Sequence, residues 1–200
     1  MNPLNSITGT IVAGFVLSLI VMFGLGTTGA VNPWEFWVWM HVLAGIAWVG
    51  LLYYFNFIQV PAVGAALADA DPGPAAINKY VAPRALLWFR WAAVATWVTG
   101  AMVLEAMHTM DGSGVVAAFT LQTGFATIGV GAWLGTIMML NVWGLIWPNQ
   151  KKILGLDGKE HSAEEIASAK KIALMASRTN TLLSIPMLMC MTGHAHGLPF

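Results

Sequence analysis

Charge is what this chain has least of. Only 9% of its 200 residues are Asp, Glu, Lys or Arg, while 58% are hydrophobic. A water-soluble domain carries about a quarter charged residues. Polar residues are too few to cover a water-facing surface, which excludes an ordinary soluble protein. The formal net charge is zero, which argues against a nucleic-acid partner. One cysteine, Cys190, is present, so an internal disulfide and a Cys-only metal site are both excluded. Set in apolar sequence, its thiol is expected to be inert. HExxH, Walker, GxGxxG and serine-elbow patterns are also lacking, and with them the commonest hydrolytic and nucleotide-binding chemistries. The first apolar run has no basic leader and reads as a retained helix rather than a signal peptide.

What remains is long apolar runs. A spanning helix needs about 20 mostly apolar residues, and five segments qualify: 7–25, 34–60, 84–107, 120–147 and 172–193. They do not alternate polar with apolar, so a helical bundle is expected rather than a barrel. The predicted fold is therefore all-α, a single integral membrane domain of five transmembrane helices over 1–200. Gly124 marks a place where the fourth run can break away from a short surface helix, and Gly131-x-x-x-Gly135 offers a close-packing face. Ser162-x-x-Glu165 is a capping box that should start a helix leading directly into the fifth run. Pro186 is expected to kink that run.

The basic residues orient the bundle. With five crossings, Lys79, Arg84, Arg90, Lys151, Lys152, Lys159, Lys170, Lys171 and Arg178 all fall on one membrane side or the adjoining helix ends. By the positive-inside rule that side is cytoplasmic. The N-terminus is then cytoplasmic and the C-terminus periplasmic, in a bacterial inner membrane.

Alternation also gathers His41, His108, His194 and His196 at the opposite, periplasmic face. His161 alone lies in a cytoplasmic loop. His41 sits about 10 Å into its helix at 1.5 Å per residue, a depth at which an ionisable group is costly and usually functional. Imidazoles from facing helices suit haem iron, copper or zinc. Met40, Met102, Met107, Met110, Met187, Met189 and Met191 lie nearby in this topology. Their thioethers would favour copper, although methionine also fills apolar cores. For His108 and His196, just outside the spans, ordinary interfacial polarity competes with ligation. A second polar layer toward the cytoplasm comprises Asn56, Gln59, Arg90, Asn141, Arg178 and Asn180. Inter-helix hydrogen bonding is the first reading of this layer and an anion site the second.

Four stretches carry a resemblance: HVLAGIAWVGLLYYFNFIQVPA (His41–Ala62), WFRWAAVATWVTG (Trp88–Gly100), LNVWGLIWPNQKK (Leu140–Lys152) and SRTNTLLSIPMLMCMTGH (Ser177–His194). Together and in this order they are similar to the membrane-embedded N-terminal domain of the bacterial cytochrome-c-linked urate oxidases. Arg90 stands where that family's pattern has lysine. His194 aligns with a family histidine, and His196 is additional. No C-x-x-C-H follows, so a separate cytochrome c is the expected partner.

The histidine cluster and the resemblance together imply a membrane haem b protein that exchanges electrons with a periplasmic cytochrome c. His41 is the leading ligand, His194 its preferred partner and His108 the next. Three alternatives stand beside it. The first is a urate oxidase-like enzyme, an oxidoreductase whose catalytic residues the sequence does not identify. The second is a copper or zinc protein using His41, His108, His194 and His196. The third is an accessory subunit held in membrane lipid beside the other subunits of a respiratory or photosynthetic complex.

Overall fold

The computed structural model describes residues 2–26, 31–107 and 112–199. These residues are helical and form no extended strand. The chain divides into two compact units, Met1–Pro33 and Trp34–Phe200.

The first unit is a capped rod. Asn2 caps a 3-10 turn at Pro3–Asn5. Ser6 then caps helix α1, Ile7–Leu25, by accepting from the Gly9 amide at 3.0 Å. A side chain at Gly9 would meet the Pro3 carbonyl and the Ser6 hydroxyl, so only glycine lets the turn and the helix meet so closely. The hydroxyls of Thr10 and Ser18 donate to the Ser6 and Gly14 carbonyls one turn back. The rod thus satisfies its polar side chains from within, as an apolar solvent requires.

The second unit is built from long rods. Helix α2, Pro33–Tyr54, widens into a π-helical turn at Phe55–Gln59 and continues as α3, Val60–Asp69. A π turn at Ile77–Val81 opens α4, Ala82–Ala106. The short α5, Gly114–Phe119, is capped by Ser113. Helix α6, Ala126–Asn141, passes through a third π turn, Val142–Ile146, into α7, Trp147–Ile153. Helix α8 spans Ala163–His196.

All three π turns have one cause in the sequence. Each ends two residues before a proline: Pro61, Pro83 or Pro148. Proline lacks the N–H that would bond the carbonyl four residues back, and its ring crowds that carbonyl. Widening by one residue re-pairs the backbone without breaking the rod. Pro186 behaves differently, and α8 continues through it to His196.

The expected break at Gly124 is present. Its φ of +85° places it in the left-handed region between α5 and α6, where glycine carries no steric penalty. The capping box is also formed, with Ser162 and Glu165 bonding each other's backbone amides at 3.2 and 2.9 Å.

The core of this unit joins Trp48, Leu52 and Phe55 to Leu86, Phe89, Ala92 and Ala93 of α4. Met138, Val142 and Ile146 meet it from α6 and its π turn, and Ala176 and Met187 from α8. Gly131 lets α6 approach α8: a side chain there would lie 3.1 Å from the Cys190 Cβ. Gly135, the other half of the small-residue pair, faces open space.

Among the described residues four helices are long and apolar enough to cross a membrane: Ile7–Leu25, Pro33–Asp69, Ile77–Ala106 and Ala126–Ile153. Helix α8 is long enough but not apolar enough to join them. Two of its polar residues are nonetheless packed inward. Asn180 and Ser184 are fully buried, while Leu182 and Ile185 are 66% and 67% exposed.

Candidate functional site

His41 points from α2 into α4. Its Nδ1 lies 2.8 Å from the Thr96 carbonyl and 3.3 Å from the Thr99 hydroxyl. A carbonyl can only accept, so the 2.8 Å contact assigns the proton to Nδ1. That leaves the Nε2 lone pair free to bind. The ring lies against Gly100, where an added Cβ would fall 2.9 Å from Cε1 and 3.2 Å from Nδ1. Helix α4 therefore supplies a carbonyl to orient the imidazole and a bare backbone to receive it. One and two turns further along α2, Gly45 and Trp48 continue the face that meets α4.

Two hydrogen bonds set the pairing of α2 with α8. Tyr53 and Ser184 hydroxyls meet at 2.9 Å. The Asn56 amide, in the π turn after α2, donates to the Ser177 hydroxyl at 2.8 Å. The residue numbers rise along one rod and fall along the other, so the two are antiparallel. His41 lies 12 residues before Tyr53, about 18 Å along its rod, and His194 lies 10 residues after Ser184, about 15 Å along the other. His41 and His194 are thus at the same end of the pair and at about the same height. They are not in contact among the described residues. His194 is half-buried against Phe125, with ring centroids 6.1 Å apart. His196 is exposed. His108 lies outside the described residues. Among the described residues no three His, Cys, Asp or Glu side chains gather as a metal ion would require.

The second polar layer separates into distinct parts. Asn141 Nδ2 donates to Asn180 Oδ1 at 3.0 Å, and Asn180 Nδ2 donates to the Met138 backbone carbonyl at 2.9 Å, so α6 and α8 are hydrogen-bonded inside the core. Arg90 stacks over Trp147 at 3.9 Å, and its carbonyl accepts from the Trp143 indole at 3.3 Å. Arg178 is exposed.

Thr96, Thr99 and Gly100, the groups that hold His41, are the site residues that residue-by-residue reasoning did not single out. They close the fragment Trp88–Gly100 singled out in the sequence. Hydroxyl and glycine residues are too common in membrane helices to stand out alone.

Just before α8, His161 is clamped by two carboxylates. Its Nε2 is 2.8 Å from Asp157 Oδ2 and its Nδ1 is 3.6 Å from Glu165 Oε2. The hydrogen bond from His161 holds the Asp157 carboxyl below the usual carboxylate range. The Ser162 amide does the same for Glu165.

Long apolar rods with inward polar residues define the class: an all-helical protein with several helices suited to crossing a membrane. Within that class the likeness is specific. Residues 114–200, which make up α5 to α8, match the family model described as urate oxidase N-terminal. The match contains the fragments at Leu140–Lys152 and Ser177–His194 and lies after those at His41–Ala62 and Trp88–Gly100. No curated protein and no solved structure matches the chain.

Proposed function

We propose that this protein is a bacterial inner-membrane haem b protein that exchanges electrons with a periplasmic cytochrome c. One observation carries the reading: His41 is held through Nδ1 by the Thr96 carbonyl, which leaves Nε2 as the nitrogen that could ligate. A backbone carbonyl on the far ring nitrogen is the support that metal-ligating histidines receive, because it fixes the tautomer and makes Nε2 more basic. The donor set fits haem, which needs axial imidazoles but no cluster of three protein ligands. His41 would hold the iron, with His194 as partner and His108 as the next candidate. Haem b, when bound, supplies a one-electron carrier. The chain's own residues orient the ligand through Thr96, clear space for its ring at Gly100 and exclude water with the Trp48–Phe89 core.

The same reading gives five crossings, with α8 as the fifth and the N-terminus cytoplasmic. It is supported by the one-sided placement of the basic residues and by the burial of Asn180 and Ser184, which leaves Leu182 and Ile185 for lipid.

Purified protein should show Soret and α bands on reduction and contain iron, and His41→Ala should lose both. A colourless wild-type protein free of iron would end the proposal. Elemental analysis on the same sample separates haem from copper and zinc. A second reading, a urate oxidase-like enzyme working with a separate cytochrome c, is favoured by the family match over residues 114–200. Its test is urate-dependent reduction of added cytochrome c, and no reduction with an active partner cytochrome would remove it. Arg90 and Arg178 do not form a joint anion site in this reading, since one is stacked on Trp147 and the other is exposed.

A further inference from the structure

An open groove of about 530 Å³ runs between α2 and the start of α4. Its lining is Ala47, Leu51, Tyr54, Tyr80, Val81, Arg84, Ala85 and Trp88. The volume is in the range that holds a small amphipathic molecule. No acidic side chain lines it, and Arg84 is the one formal charge. Arg84 is exposed and makes no ion pair or hydrogen bond among the described residues. Lys79 lies in the π turn that opens α4, with its ammonium 5.3 Å from the Tyr80 ring.

The lining is graded along the rods. Arg84, Tyr80 and Tyr54 sit at one end. Trp88 is one turn further into α4, and Leu51 and Ala47 lie up to seven residues back along α2, about 10 Å away. In the membrane reading the Arg84 end is the cytoplasmic interface and the Ala47 end is in hydrocarbon. Cation and phenols at headgroup depth with apolar walls below them match a phospholipid in both polarity and direction. We propose that this groove is a binding site for an anionic phospholipid, with its phosphate at Arg84 and Lys79 and an acyl chain along Trp88, Leu51 and Ala47. The free cations select the anionic headgroup, since a zwitterionic lipid would place a second cation beside them. The proposal rests on the membrane reading but not on haem.

The test uses the full chain in vesicles of zwitterionic phospholipid doped with acyl-brominated phosphatidylglycerol or, separately, brominated phosphatidylcholine. Bromine quenches nearby indoles, and subtracting a Trp88→Phe sample isolates Trp88. Trp88 should be quenched at about five-fold lower mole fraction of the anionic lipid, the ratio equivalent to the ~1 kcal/mol one basic side chain contributes near a membrane surface. Arg84→Ala with Lys79→Ala should bring that ratio to about one at unchanged helix content. Ala47→Phe, which narrows the apolar end and leaves the cations in place, should weaken quenching by both lipids. Equal quenching by the two lipids in the wild type, or a preference that survives loss of both cations, would overturn the site. Quenching of no tryptophan by either lipid would overturn the membrane reading and this site with it.

Discussion

Gly100 is where one missing side chain decides a geometry. The His41 ring occupies the space a Cβ would need, and interlocked helices have no slack to give. Gly100→Ala should therefore rotate the imidazole off the Thr96 carbonyl or part α2 from α4. The expected cost is about 1–3 kcal/mol, as for other overpacked cores. Thermal denaturation in detergent reads that cost, and loss of the Soret band reads the effect on the proposed ligand. Gly50→Ala, on the helix that carries His41 and with open space around it, is the control and should leave both readings unchanged. Asn180 makes the complementary case. Its fully buried amide ties Asn141 to the Met138 carbonyl. Asn180→Leu strands both partners and should cost about 1–3 kcal/mol. Adding Asn141→Leu should restore part of that, and a double variant no more stable than the single would contradict the pairing.

At the scale of elements, prolines and caps govern where rods begin, widen and end. The N-terminus of α8 combines the capping box with the His161 clamp. Ser162→Ala removes an amide's partner and should cost about 1 kcal/mol, visible as faster amide exchange over Ala163–Ile166. The clamp gives this end a pH dependence of definite sign. Asp157 is depressed chiefly by the His161 hydrogen bond and Glu165 chiefly by the Ser162 amide. A carboxyl with a lowered folded value stabilises fully above its unfolded value, about 4, and loses that contribution as the pH falls through the folded one. Protection of the α8 start should accordingly decline as the pH falls below about 4. Protection that stays unchanged as both carboxyls protonate would show the clamp to be wrong. The capping box was legible in the sequence, since it acts through the backbone within a few residues of itself, whereas the widening before Pro61, Pro83 and Pro148 was seen only in the structure.

At the scale of the molecule, the proposed topology predicts where reporters work. Alkaline phosphatase, active only outside the cytoplasm, should be active when fused after Phe200 and inactive when inserted at Gly155–Gly158. The opposite pattern would reverse the bundle and move His41 and His194 to the cytoplasmic face. Helix α8 shows why hydropathy is a blunt guide at this scale. Averaged along the chain its Asn, Ser, Thr and His residues pull it below a membrane-spanning threshold. Sorted by direction, Asn180 and Ser184 face protein while Leu182 and Ile185 face out.

The amino-acid order alone determined that this protein is helical and rich in membrane-length segments, that Gly124 divides the fourth run, that Ser162 starts α8, and that residues 114–200 carry a urate oxidase N-terminal likeness. These follow from average apolarity, from backbone chemistry reaching a few residues, and from matched stretches of sequence. Tertiary structure decided the partner of His41, the separate fates of Arg90 and Arg178, and the pairing of Asn141 with Asn180. Those depend on the rotation and height of one rod against another, which residues 40 to 130 positions apart settle together and no local pattern encodes.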